Sequence, residues 1–226
     1  MKLKKQLKLI LMFFLLCLIL GFGYLFSQNK KTSVSSPLPA VENSQFSVVP
    51  KSNSTLAPTY APTMGPPDAP VTIVEFLDPE CEACSAMNPI VKKIMKEYDG
   101  KIRLVVRYMP FHRNSRFAAN ILEGARIEGK YWEALNIMFK DQSIWASHHD
   151  PKPELLFEIL KPLGLNLEKI KKDAELGLYN EIIEKDFLEG KNLGVNKTPT
   201  FFVNGNELME IGYEPLKAAI DVFLKN

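Results

Sequence analysis

Cysteine and histidine are scarce in this chain of 226 residues, which contains three of each. Cys17 lies inside a long apolar run, so the rest of the chain has a single pair, Cys81 and Cys84. One pair is too few for the disulfide framework of a small secreted domain, and a tetrahedral zinc site needs two further ligands. No histidine stands at a metal-ligand spacing from this pair, so we predict no metal site.

An excess of charge of either sign is also missing, since 28 lysines and arginines stand against 26 aspartates and glutamates. Basic and acidic residues alternate through the second half of the chain and form no basic face interleaved with aromatics. This pattern excludes nucleic acid as an expected partner. The length suits one globular domain with appendages.

The pair Cys81 and Cys84 follows a predicted strand and begins a predicted helix. The strand, VTIVEFL, is almost continuously apolar, which is typical of strands buried on both faces, and Asp78-Pro79 ends it. Apolar residues then recur at helical spacing as far as Tyr98. A helix N-terminus stabilises an anion, so this position favours the thiolate, the nucleophilic form of cysteine. The sequence therefore predicts redox chemistry rather than a static disulfide.

The N-terminus predicts a targeting segment for the cell envelope. Residues 1–8 contain four lysines, and residues 9–26 are uncharged and mostly apolar. A helix of that length just spans a bilayer, so we expect an uncleaved anchor in the cytoplasmic membrane, with the rest of the chain exported. Cleavage near Gly23, which would release a soluble periplasmic protein, is the alternative. Cys17 is expected to be a residue of the membrane helix.

Residues 27–70 are rich in proline, serine, threonine and asparagine and have little apolar periodicity. This composition favours extended conformations and predicts a linker. The predicted domains are therefore a targeting segment (1–26), a linker (27–70) and a folded domain (71–226).

The folded domain is predicted to be α/β. A second strand over residues 101–108 completes a βαβ unit with parallel strands. Residues 113–194 have no strand signal, and apolar residues step round one helical face from Phe117 to Phe139. Shorter helices are expected near residues 153–163, 167–176 and 179–193. The sequence thus predicts a helical insertion.

The end of the chain predicts a hairpin and a last helix. A strand begins after Pro199 and ends in Asn204-Gly205, a strong turn signal, and a return strand is expected over residues 208–211. Pro215 occupies a first-turn position of the final helix.

This order of elements resembles the thioredoxin-like fold, and residues 68–226 are similar to its bacterial DsbA-like branch. Glu75 lies six residues before Cys81, where relatives have a buried acid, and Pro89 lies where they kink the active-site helix. Thr198-Pro199 falls at the position of their cis-proline. The segment YMPFHRNSRFAANILEGARIEGKYWEALNIMF also looks like their first insertion helix. The resemblance implies a thioredoxin-like domain with a helical insertion between the βαβ unit and the cis-proline strand.

The resemblance further implies a thiol:disulfide oxidoreductase whose redox centre is the Cys81–Cys84 disulfide itself, with no other cofactor. Cys81 is then the exposed nucleophile and Cys84 the buried resolving thiol. Thr198 and a cis Pro199 would present a backbone edge to an extended substrate, here an unfolded or flexible exported protein with free thiols or disulfides. A membrane redox partner would recycle the pair.

Glu75 is predicted to relay the proton that Cys84 must lose, provided that burial raises the pKa of its carboxyl. The alternative is an ordinary ion pair with Arg103 or Arg107 on the neighbouring strand.

The residues around Cys81 bear on the direction of the reaction. Glu80 and Glu82 oppose the thiolate, and Glu82-Ala83 supplies no histidine of the kind that strongly oxidising relatives carry between their cysteines. We therefore expect a less oxidising pair than theirs. Thr198 before the proline points the same way, toward isomerase-like and reductase-like relatives. A non-catalytic, chaperone-like adaptor that binds peptides is the alternative function.

Overall fold

The computed structural model of the chain describes residues 56–225. Within that range no helix combines the length and the apolar character that crossing a bilayer requires. The predicted targeting segment and the predicted linker as far as residue 55 lie outside the described residues.

Strands and helices follow one another along the described chain. The strands are β1 (Thr63–Met64), β2 (Val71–Leu77), β3 (Ile102–Tyr108), β4 (Thr200–Val203) and β5 (Asn206–Glu207). The helices are α1 (Glu82–Glu97), α2 (Ser115–Ile127), α3 (Tyr131–Lys140), α4 (Gln142–Trp145), α5 (Leu156–Ile159), α6 (Leu167–Glu175), α7 (Asn180–Asn192) and α8 (Tyr213–Leu224). Two 3-10 turns, Pro153–Leu155 and Lys161–Leu163, flank α5.

The strands form one five-stranded sheet in the order β1-β3-β2-β4-β5. β2 and β3 are parallel and α1 connects them, which confirms the predicted βαβ unit. The pairs β1–β3, β2–β4 and β4–β5 are antiparallel. β2 is the central strand, and all of its residues except Thr72 are buried. The carboxyl end of this buried strand delivers the two cysteines.

The two faces of the sheet bury different partners, because side chains alternate between the faces along a strand. Ile73, Leu77 and Val106 belong to a core that also contains residues of α1, α2, α3 and α8. Val74 and Phe76 face the other way, toward a smaller core that includes residues of segment 56–61, with Phe187 of α7 packed against it. The apolar side chains of β2 therefore pack into one or the other of these two cores.

The predicted insertion over residues 113–194 is helical and contains α2 to α7. The apolar face expected to run from Phe117 to Phe139 is divided between α2 and α3, because Gly129 adopts a φ of +73° and ends the first helix. The helix expected near residues 153–163 is likewise three short turns, with Pro153 and Pro162 in the two 3-10 pieces.

The predicted linker boundary is wrong over residues 56–70, which belong to the folded domain. β1 pairs with β3, with Thr63 opposite Val105. Leu56 is fully buried, and its carbonyl oxygen accepts a hydrogen bond of 3.0 Å from the Arg107 guanidinium. Composition does not predict this segment as folded, because its strand has only two residues and pairs with a distant part of the chain.

The predicted hairpin turn is confirmed at Asn204-Gly205, where both residues have positive φ, +45° and +84°, as a two-residue hairpin turn requires. The return strand expected over residues 208–211 is wrong. A two-residue turn makes pairing begin at once, so β5 is Asn206–Glu207. Leu208 donates one further backbone hydrogen bond, 2.8 Å to Phe201, before the chain turns into α8.

Candidate active site

Cys81 and Cys84 lie at the start of α1, directly after the central strand. Cys81 is the N-cap residue of α1, with an extended backbone (φ −79°, ψ 122°). Its backbone N–H donates to the Asp78 carbonyl at 3.0 Å, and its own carbonyl accepts from Ser85 N–H at 3.1 Å. The turn that ends β2 therefore sets the orientation of the nucleophile at the helix start.

The surroundings of Cys81 favour its thiolate. Hydrogen bonding from the Cys84 thiol is the largest cause, and the Thr198 side chain and the backbone N–H groups of Cys84 and Ala83 add to it. Against partial burial, these donors lower the pKa of Cys81 to about 5. Cys81 is only 8 % exposed, so the exposed nucleophile that the resemblance implies is in fact a nearly covered one.

Cys84 has the opposite character. It is fully buried, and burial, followed by the hydrogen bond and charge of Cys81, raises the pKa of its thiol. The Asp78 backbone N–H donates to its sulfur at 3.5 Å. Both cysteines are free thiols in this structure. The pair thus combines an acidic, slightly accessible sulfur with a buried one that keeps its proton.

The two acids beside Cys81 have partners of their own. The Glu80 carboxylate accepts hydrogen bonds from the backbone and side-chain nitrogens of Asn114, at 2.6 and 2.8 Å. Glu82 is exposed and lies 3.1 Å from His148 Nε2. Direct hydrogen bonds to the Cys81 sulfur are the largest cause of its lowered pKa, and neither acid is among the main causes. Ala83 acts through its backbone N–H, not its side chain.

Glu75 lies on β2 beneath the cysteines and is 4 % exposed. Burial is the main cause that raises the pKa of its carboxyl to about 8, and the Cys81 charge adds to it. The alternative ion pair with Arg103 or Arg107 is wrong. These arginines lie opposite Thr72 and Phe76 in the β2–β3 register, so they share the other face of the sheet.

Arg107 instead forms a buried ion pair with Asp186, 2.6 Å from Nε to Oδ1, and a second one with Glu189. The Glu75 carboxyl lines a cavity of about 180 Å³ whose walls include Trp132 and Leu135. Asn88, Asn136 and Lys92 line both this cavity and a wider, more open groove of about 570 Å³. The cavity is therefore a space next to the acid that opens toward the surface.

The Thr198-Pro199 peptide bond is cis and lies beside the nucleophile. The Cys81 sulfur is 3.4 Å from the Thr198 carbonyl oxygen. Of the residues that the sequence singled out, the structure brings Cys81, Cys84 and Thr198 into direct contact. Glu75 interacts with both sulfurs through charge.

Three residues that the sequence analysis did not select support the site. Gln142 of the insertion donates to the carbonyl oxygens of Pro79 and Cys81, at 3.0 and 3.1 Å. The fully buried Asp78 carboxylate binds His112, whose Nδ1 lies 2.7 Å away. No local spacing could identify the Asp78–His112 pair, because 34 residues separate its members. Residues 56–225 contain no cluster of three or more metal-ligating side chains.

Comparison with known proteins assigns the family. The sequence profile of the family described as Thioredoxin matches residues 58–222. A curated protein from Bacillus anthracis, "Probable disulfide bond formation protein D", is 30 % identical over 187 residues, which cover 77 % of this chain and 83 % of that protein. The crystal structure of oxidised BdbD from Bacillus subtilis superposes with a TM-score of 0.68 at 28 % identity and covers 74 % of this chain and 94 % of that one.

A different kind of relative also matches. The Na(+)/H(+) antiporter NhaA of Herminiimonas arsenicoxydans is 32 % identical over 144 residues, 64 % of this chain. The match spans only 22 % of the antiporter's length, so the chain corresponds to about a fifth of that protein. The profile match, the fold and the cysteine pair together show that the chain belongs to the DsbA-like family of thioredoxin-fold oxidoreductases.

Proposed function

We propose that this protein exchanges disulfides with exported proteins through Cys81 and Cys84, with Cys81 as the nucleophile and Cys84 as the resolving thiol. The observation that carries the proposal is the divergence of the two pKa values. The pKa of Cys81 is lowered to about 5, whereas burial raises that of Cys84. At neutral pH only Cys81 is then ionised, so the Cys81 sulfur is the attacking and leaving group.

Oxidation of a substrate dithiol follows two balanced steps. A substrate thiolate attacks the Cys81 sulfur of the disulfide, forming a mixed disulfide, and Cys84 leaves as a thiolate that takes up a proton. The second substrate thiolate then attacks the substrate sulfur bound to Cys81, which closes the substrate disulfide and releases the Cys81 thiolate. The reverse sequence reduces substrate disulfides, and in it Cys84 must lose its proton. In isomerisation the Cys81 thiolate opens one substrate disulfide, and another substrate thiolate then displaces Cys81.

Glu75 is proposed as the group that gives and takes the proton of Cys84. A pKa of about 8 makes its carboxyl a proton donor and acceptor near neutral pH. Its charge acts on the Cys84 thiol. The adjoining cavity offers room for water between the carboxyl and the surface. Water in this cavity would connect Glu75 with the surface.

Thr198 and Pro199 are proposed to bind the substrate backbone. The Thr198 carbonyl lies 3.4 Å from the Cys81 sulfur, close enough for a peptide joined to that sulfur to run alongside it. Backbone pairing of this kind requires an extended substrate and depends little on the substrate's amino-acid sequence. Unfolded or flexible proteins are the substrates that this arrangement suits.

The proposed location is the extracytoplasmic side of the cell envelope, by analogy with the disulfide bond formation protein and BdbD. We propose that residues 9–26 anchor the chain or direct its export, with cleavage near Gly23 as the alternative, and that residues 27–55 form the tether. A membrane redox partner would restore the oxidised or reduced pair after each turnover. The expectation of a less oxidising pair than the histidine-containing relatives stays a prediction.

The test combines a glutathione titration with a turnover assay on a reduced, unfolded protein. With oxidised glutathione as the oxidant, the wild-type chain should form the substrate's disulfides catalytically. In Cys84→Ser, Cys81 first forms a mixed disulfide with glutathione; a substrate thiolate then displaces glutathione, and the mixed disulfide with the substrate should accumulate. Cys81→Ser, the matched control, should form none. If the chain binds the unfolded protein but neither forms nor rearranges its disulfides, the protein is a peptide-binding adaptor and the proposed exchange activity is wrong.

A further inference from the structure

The Asp78 carboxylate joins the end of β2 to the loop between β3 and α2. Its Oδ1 accepts the Glu80 backbone N–H at 2.9 Å. Its Oδ2 accepts the backbone N–H groups of Phe111 and His112, at 2.8 and 3.1 Å, and the His112 Nδ1–H at 2.7 Å. Asp78 is fully buried, whereas the His112 side chain is 36 % exposed. A single buried carboxylate therefore fixes the position of one imidazole.

The same residue also holds the cysteine turn. The Asp78 carbonyl accepts the Cys81 backbone N–H, and the Asp78 backbone N–H donates to Cys84. The imidazole and the redox pair are thus both bound to one buried residue, which directly follows the central strand. This shared contact places His112 and the Cys81 turn at the same end of β2.

Resting on the exchange activity proposed above, we propose that His112 is a positioning residue that stabilises the Cys81 thiolate from outside the CxxC motif. The His112 imidazolium would provide the positive charge near Cys81 that the two residues between the cysteines, Glu82 and Ala83, do not provide. Asp78 orients it, and together the two residues set how strongly the reduced form of the protein is favoured.

The charges around His112 give the direction of the effect. Although partial burial opposes its charged form, the hydrogen bond and charge of Asp78 and the charges of Cys81 and Glu80 raise the pKa of His112. Asp78 and Glu80 lie on the turn before α1, and Cys81 at its start. The cationic residue next to His112 in its loop is Arg113. Three anionic groups therefore act on this imidazole.

Charge coupling is reciprocal, because the free energy by which the thiolate stabilises the imidazolium is also the free energy by which the imidazolium stabilises the thiolate. The redox step changes this coupling. When a substrate dithiol reduces the Cys81–Cys84 disulfide, the two substrate sulfurs join and two protons remain. Cys84 takes one of them, Cys81 stays ionised, and the other goes to His112 or to solvent.

The first test needs no variant. The His112 ring is titrated by NMR in the reduced and in the oxidised protein. Its pKa should be higher in the reduced protein by about half to one unit, the size of shift that one nearby opposite charge produces. Equal values in the two redox states would overturn the proposal, since the thiolate charge exists only in the reduced form.

The second test compares His112→Gln with His149→Gln, which makes the same change at an exposed loop histidine. In His112→Gln, a pH titration of the thiolate absorbance at 240 nm should show that the Cys81 pKa is raised by about half to one unit. The equilibrium constant with glutathione should shift about three- to tenfold toward the protein disulfide. His149→Gln should match the unchanged protein. Thermal unfolding checks that both variants are folded.

A folded His112→Gln with an unchanged Cys81 pKa would show that His112 only holds its loop. The outcome is separate from that of the turnover assay. If the unchanged protein turns over no substrate, the proposed function is wrong, whereas the titrations still decide whether His112 and Cys81 are coupled. If the protein is active and the pKa values of His112 and Cys81 do not depend on each other, only the inference about His112 is wrong.

Discussion

Replacing Glu75 by glutamine should stabilise the protein, and by an amount that depends on pH. The carboxyl has an ordinary pKa of 4.5 in the unfolded chain and about 8 in the folded one, because burial disfavours its charge. A raised pKa in the folded state means that the unfolded state ionises first as the pH rises. The native state is therefore free of penalty below pH 4.5 and loses stability as the pH rises through about 8.

The size of the effect follows from the interval between these values. At pH 7 the gap above the unfolded pKa is about 2.5 units, which corresponds to about 3 kcal/mol at about 1.36 kcal/mol per unit. Above pH 8 the penalty approaches about 5 kcal/mol. Glutamine is neutral at every pH, so Glu75→Gln should remove this penalty. The cavity beside the side chain leaves room for the amide.

The assay is urea unfolding of both proteins between pH 4 and pH 8. The two stabilities should agree near pH 4 and diverge toward pH 8, with Glu75→Gln the more stable. The oxidised proteins should diverge less, because the Cys81 charge that contributes to the raised pKa of Glu75 is then absent. Glu75→Gln should also slow the resolution of mixed disulfides.

Glu123→Gln is the contrasting control. Burial also raises the pKa of Glu123, but Arg126, 2.6 Å away, stabilises its charge. Glu123→Gln should therefore gain less stability at neutral pH than Glu75→Gln. A stability difference for Glu75→Gln that is the same at every pH, or a loss of stability throughout, would refute the reasoning. Burial would then not be what governs the ionisation of Glu75.

Three further outcomes are expected. Alkylation of Cys81 in the reduced protein should rise with pH to a plateau with a midpoint near its pKa of about 5, and a midpoint above 8 would contradict the hydrogen bonding described for its sulfur. Arg107→Met should lower the free energy of unfolding by about 3–5 kcal/mol, because it leaves the buried Asp186 carboxylate without its cation; chemical denaturation measures this loss, and an unchanged midpoint would argue against the pair. Gly65→Ala should destabilise more than Gly100→Ala in the same assay. Both glycines have positive φ, but only at Gly65 would a Cβ meet a backbone oxygen, that of Ile102, at 2.3 Å; equal losses would show that the φ strain alone matters.

Local patterns predicted the βαβ unit, the position of the cysteines at a helix start and the hairpin turn. These features depend on residues close together in the chain, and periodicity and turn residues report them directly. The same patterns failed for β1, where two residues pair with a distant strand, and for the break at Gly129, where a helical period continues across a left-handed residue.

The sequence by itself determined that Cys81 and Cys84 lie together at the start of a helix, because a strand, a stop and a helix start follow one another within a few residues. The hydrogen bond from the Cys84 thiol, the largest cause of the lowered Cys81 pKa, is local as well. Only the tertiary structure decided the further contribution of Thr198, which lies 117 residues from Cys81 in the chain. Side chains alternate between the two faces of a sheet, so Glu75 lies on the face opposite Arg103 and Arg107, the partners that the sequence suggested. Electrostatic and hydrogen-bonding effects depend on distances in space, and folding alone sets those distances.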